Sequence, residues 1–262
     1  MLYPVLALYG LASTLYLAFF VAPRDGVARA AKATLLLAFL CHMIDIGQRG
    51  VHGVHPITST AEAVSFTAWL IAGGYLLISL RYKLLVVGGF VAPVVLVLLV
   101  LARLTPGAEV ASPHAALGAL GRIHITLSTA GLALFALAAA VACIYLVSEA
   151  QLRHKKLGPL QQRGPALATL DAIGHRCITV GFPVFTVAIV TGAIWVARLP
   201  HLGMRPEYSV SIATWAAFAA LLLARTTAGW QGRRAAWLTL VGFAGLLAVV
   251  MIYILRALQH GA

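Results

Sequence analysis

Eight stretches of mostly apolar residues, separated by short polar segments, leave this chain one environment in which to fold. They lie near residues 2–22, 33–48, 62–80, 84–102, 122–149, 170–197, 208–224 and 236–256. A helical crossing of a bilayer needs roughly 20 mostly apolar residues. Inside hydrocarbon the backbone must satisfy its own polar groups, so each stretch reads as a helix. The 262 residues are 61% hydrophobic and 10% charged, a composition that excludes a water-soluble globular domain. The expected fold is therefore all-α: a polytopic integral membrane helix bundle of about eight transmembrane helices, forming a single domain over residues 1–262. The segment MLYPVLALYG carries no basic region ahead of its apolar run and reads as the first span, not as a cleaved signal peptide.

The net charge of +12 could suggest a nucleic-acid partner, but Lys and Arg sit in short clusters between the apolar runs. There they orient spans against a cytoplasm. One set of links carries Arg24, Arg29, Lys32, Arg81, Lys83, Arg153, Lys155, Lys156, Arg163, Arg176, Arg225, Arg233 and Arg234; the other carries Arg49, Arg103, Arg122, Arg198, Arg205 and Arg256. The bias places both termini on the non-cytoplasmic side. The link RHKKLGPLQQRGPA is too short to fold alone and reads as a topology signal, able to touch anionic lipid head groups or a soluble partner. Cys41, Cys143 and Cys177 lie inside apolar segments with no CxxC spacing, as small hydrophobes do. Pro4, Pro93 and Pro183 fall within spans, where neighbouring helices tolerate the lost hydrogen bond.

Under this topology His42, His52, His55, His114, His124, His201 and His260 gather towards the outer side, with His154 and His175 on the other. Imidazole suits haem iron, copper or zinc. For His52, His114 and His201 the simpler reading is a solvated loop residue. His52 and His55 share a loop with Gly53 and Pro56 and lack a nearby carboxylate, so they make a poor zinc signature. His124 differs because it lies just inside the fifth span, where a polar side chain must meet a cavity or a neighbouring carbonyl. Asp45 and Arg49 stand one helical turn apart and can pair. Ser59 and Glu62 have the spacing of a capping box, and Asp171 suits the positive end of the sixth span. No nucleophile and base constellation is visible, so binding or handling is read in preference to catalysis.

The segments IHITLSTAGLALFALAAAVACIYL, LDAIGHRCITVGFPVFTVAIVTGAIWVA and ARTTAGWQGRRAAW, with the earlier VHPITSTAEAVSFTAW, resemble the cytochrome c biogenesis membrane proteins of the CcsA, ResC and CcmC group and their relative HemX. That resemblance implies a haem-handling protein of a bacterial inner membrane, with haem as its cofactor. It implies two axial histidines flanking an aromatic loop, matched here by His124 and His260, with His55 as a lesser accessory. The family's W-G-x-x-W-x-W-D loop corresponds to the region between Trp195 and Trp215, which has no further tryptophan. What remains is Trp195, Tyr208 and Trp215 at the edges, Arg198 and Arg205 as propionate partners, and His201 as a spare ligand. The family's histidine before the GWQG signal is replaced by Leu223. Both departures resemble the HemX branch more than a complete synthase. The implied partners are the lipid bilayer and either other cytochrome c assembly proteins or, for a HemX-like regulator, a haem-biosynthesis enzyme.

Overall fold

The computed structural model describes residues 2–51, 59–105, 118–155, 164–198 and 206–260. Among them are eight helices long and apolar enough to cross a membrane. They are α1 (Leu2–Val21), α2 (Asp25–Val51), α3 (Thr60–Ser79), α4 (Leu85–Leu104), α5 (Gly118–Arg153), α6 (Leu167–Ala197), α7 (Pro206–Thr227) and α8 (Arg233–His260). Several exceed the expected spans because the apolar run measures bilayer depth, whereas the helix continues through its charged ends. α2 thus begins at Asp25 and carries Arg29 and Lys32 on its opening turns. Pro93 and Pro183 sit inside helices that continue past them.

Packing divides the bundle into two rings of four. α1 packs on α2 and α4, and α3 on α2 and α4; in the same order α5 packs on α6 and α8, and α7 on α6 and α8. The rings join chiefly where α3 meets α5. Outward-facing Leu36, Leu40, Val97, Val187, Val190 and Leu247 are exposed, as side chains that face lipid must be.

The two interiors differ. The first ring is threaded by polar aromatics: the Tyr75 hydroxyl donates to the Leu84 carbonyl at 3.1 Å and lies 3.2 Å from the Tyr16 hydroxyl. The second is centred on Phe135, stacked on Phe218 at 3.9 Å and edge-on to Phe185 at 5.6 Å.

Cross-links between helix ends define two rims. One gathers Tyr3, Arg49, Glu62, Arg103, His124, Glu207 and Arg256, through the pairs Tyr3–Arg103, Arg49–Glu62 and Arg256–Glu207. The opposite rim gathers Tyr82, Asp171, Arg176, Arg225 and Gly232. The expected Asp45–Arg49 pair forms at 3.1 Å. The Ser59 hydroxyl oxygen accepts from the Glu62 N–H at 3.2 Å, as a capping box requires, but the Glu62 carboxylate turns to Arg49.

Candidate functional site

The geometry around His124 starts from small residues. On α6, Gly181, Phe185, Ala188 and Gly192 follow helical spacing and are buried. Gly181 and Gly131 let the backbones approach: a Cβ at Gly181 would lie 3.2 Å from Leu134 Cβ, and one at Gly131 would lie 3.4 Å from Phe185 Cβ. This α5–α6 pair is the most extensive helix contact in the structure. It brings the His124 ring against Gly192, where a Cβ would stand 2.6 Å from both ring Cε1 and Nδ1.

His124 Nδ1 lies 2.6 Å from the Ala188 carbonyl oxygen. A carbonyl only accepts, so Nδ1 carries the proton and the neutral ring keeps its lone pair on Nε2. This is how a ligating imidazole is commonly oriented by its surroundings. Trp195, one turn beyond Gly192, sets its ring 6.3 Å from the imidazole at a 33° tilt. Arg198 closes the helix exposed, its backbone N–H donating to the Trp195 carbonyl at 3.1 Å. His124, Trp195 and Arg198 thus share one end of α6.

The other expected site residues fall differently. Trp215 donates its indole N–H to the Thr186 hydroxyl at 3.0 Å and stacks on Phe182 at 5.6 Å. Thr186 and Ala188 are two residues apart, about 200° around a helix. Trp215 and His124 therefore reach α6 from opposite sides, and the structure does not bring them together. His260 ends α8 on the His124 rim, and its side chain is outside the described residues. His55, His201 and Arg205 also lie outside them. Among the described residues no group of three or more His, Cys, Asp or Glu could hold a metal ion. An apolar platform, one oriented imidazole and a cation fit one face of a haem.

A cluster on the opposite rim was not foreseen. Asp171 was expected to serve the end of its own helix. Instead its carboxylate accepts from Arg225 Nη2 at 2.6 Å and Nη1 at 3.2 Å, and from the Gly232 N–H at 3.0 Å. Gly232 has φ +65, a conformation that favours glycine. The segments LDAIGHR and ARTTAGWQG, distant in sequence, are thereby locked into one corner. The available signal was an acid and an arginine at helix ends on the same rim.

Eight membrane-length helices in two rings, with charge-paired rims and an oriented imidazole at one of them, define a polytopic α-helical membrane protein. The chain belongs to the cytochrome c assembly family: the family model described as Cytochrome C assembly protein matches residues 2–261. It is 27% identical over 266 residues to the cytochrome c biogenesis protein CcsA of Synechococcus elongatus, covering 83% of this chain and 82% of the relative. The CcsA protein of Chlamydomonas reinhardtii is 28% identical over 200 residues, 73% of this chain but only 56% of the longer algal protein. A shorter match to the Gloeobacter violaceus CcsA protein reaches 43% over 88 residues, 33% of this chain and 26% of that one. No solved structure matches.

Proposed function

We propose that this protein binds or handles haem at the His124 rim during cytochrome c maturation, as an assembly factor and not as a complete synthase. The observation that carries the proposal is the His124 Nδ1 bond to Ala188, which leaves Nε2 as the ligand atom. Haem would supply the iron and the propionates. The chain would supply His124 as one axial ligand and His260 as the second, Trp195 as an apolar face, and Arg198 with Arg205 as propionate partners, with His55 and His201 as accessories. The rim bearing Asp171 carries Arg24, Arg29, Lys32, Arg81, Lys83, Arg153, Arg176, Arg233 and Arg234, and this supports a cytoplasmic position for it. His124 and both termini then face outwards from a bacterial inner membrane. Purification from haem-replete cells followed by an absorption spectrum tests the proposal. A Soret band that disappears in the double variant His124→Ala, His260→Ala is expected; no band in the wild type, or an unchanged band in the variant, overturns it.

A second reading has its own support. Leu223, at the place of the family's additional histidine, is 62% exposed and faces outwards from the bundle, and Trp215 is occupied against α6. A HemX-like protein that binds no haem and regulates a soluble haem-biosynthesis enzyme from its cytoplasmic links accounts for both. Deleting the gene and measuring that enzyme's abundance separates the two: a changed abundance with intact cytochromes c favours the regulator.

A further inference from the structure

In the first ring a cavity of about 150 Å³ opens between the ends of α2, α3 and α4, on the rim that carries His124. It has room for about five waters at roughly 30 Å³ each. Its polar walls are Arg49, Glu62, Ser65, Arg103 and Thr105, and two alanines supply an apolar patch. The site continues inwards: Ser65 Oγ lies 3.0 Å from His42 Nε2, and His42 Nδ1 lies 3.5 Å from the Tyr9 hydroxyl. His42 and Tyr9 are fully buried, so Ser65 is held on the cavity wall by a polar group anchored at membrane depth.

Most of these groups are committed. Arg49 is pinned between the carboxylates of Glu62 and Asp45, and the Thr105 hydroxyl donates to the Leu101 carbonyl at 2.8 Å. Arg103 is placed differently. Its guanidinium lies 5.8 Å from the Tyr3 ring centroid and approaches that hydroxyl at 3.5 Å. Tyr3 orients the flat guanidinium while occupying at most one of its five N–H donors. Arg49 and Arg103 together balance Glu62 and Asp45, so the cavity carries no net negative charge to repel an anion. A planar carboxylate matches the arginine fork, and its carbon stem matches the alanine patch. One such fork suits a single carboxylate more than a doubly charged phosphate.

We propose that this cavity binds a carboxylate on a short alkyl stem, with Arg103 as the receiving cation. The carboxylate can come from a free short-chain acid, or from the propionate arm of a porphyrin lying across the rim; the second source rests on the haem-handling reading above. The full chain in detergent micelles is heated with propionate, with uncharged propionamide, or with chloride at equal ionic strength. Propionate alone should raise the melting temperature of the wild type, Arg103→Gln should abolish that rise, and Arg103→Lys should keep part of it. Arg122→Gln, a cation on the same rim outside the cavity, should keep all of it. If free propionate has no effect but Arg103→Gln weakens haem binding about tenfold at an unchanged Soret wavelength, and the haem dimethyl ester binds both forms alike, the porphyrin arm is the source. The inference is overturned if propionamide stabilises as well as propionate does, or if Arg103→Gln changes neither response. A haem spectrum that fails to depend on His124 removes the haem proposal yet leaves the propionate result standing. An intact His124-dependent spectrum with no Arg103 effect removes the cavity alone.

Discussion

Replacing Gly192 by alanine puts the architecture around His124 to a direct test. The new Cβ would lie 2.6 Å from His124 Cε1 and Nδ1, whereas relaxed carbon contacts fall at about 3.5–4.0 Å. The ring must retreat by about 1 Å. That stretches the 2.6 Å bond to Ala188 past hydrogen-bond range. Leaving a buried donor unsatisfied costs about 1–3 kcal/mol, while alanine gains about 1 kcal/mol over glycine in a helix interior. Gly174→Ala on the same helix isolates the first quantity, because its Cβ would meet only Val141 Cγ1 at an ordinary 3.9 Å. The propensity gain is common to both variants. Their difference should therefore be about 1–3 kcal/mol, and the melting temperature of the Gly192 variant should fall several degrees below that of the Gly174 variant at about 2–4 °C per kcal/mol. Thermal unfolding in detergent reads this without any ligand. If haem is bound through Nε2, its affinity should also drop about 10- to 100-fold. Equal melting temperatures for the two variants would refute the packing argument.

Three further outcomes are expected. Asp171→Asn strips a largely buried Arg225 of its counter-charge and should cost about 3–5 kcal/mol, seen as a loss of detergent-stable protein; exchanging the two residues should not rescue it, because the Gly232 N–H still needs an acceptor. Phe135→Ala empties the centre of the second ring and should cost about 3–5 kcal/mol, with Phe135→Leu milder, read by the same melting assay. Trp215→Phe keeps the stack on Phe182 but loses the bond to Thr186. It should cost about 0.5–1.5 kcal/mol and leave any Soret band in place, since Trp215 meets the far side of α6. A shifted band would show that Trp215 reaches the haem.

The helices were legible in the sequence because hydrocarbon imposes a length on apolar runs that no other environment does. Their ends were not: Arg29 and Lys32 interrupt the run before α2, yet the helix continues through them to Asp25. Local pairs such as Asp45 with Arg49 could be read from helical spacing alone. The Asp171–Arg225 pair could not, because its partners are brought together only when α6 and α7 are docked. His124 was legible as an exception to apolar surroundings, but its tautomer depends on the Ala188 carbonyl, which no spacing reveals. His42 was passed over as one more outer-half histidine, and only packing shows it fully buried between Tyr9 and Ser65.

The two rings share a packing order and differ in what holds them, and that difference bears on where ligands can bind. Among membrane helices apolar burial gives little net drive, so close packing and satisfied polar groups decide stability. The second ring meets this with glycine contacts and a phenylalanine stack, and its interior hydrogen bond, from the Trp215 indole N–H to the Thr186 hydroxyl, is already made between two of its own side chains. His124 and Trp195 stand at one end of that ring, their side-chain ring centroids 6.3 Å apart. The first ring meets it with hydroxyls and an imidazole carried into its interior, from Ser65 through His42 to Tyr9. Polar groups at that depth persist only while they bond one another or border a space that holds water or ligand. The cavity beside Ser65 is such a space, so the first ring can take up a polar group there without breaking its packing.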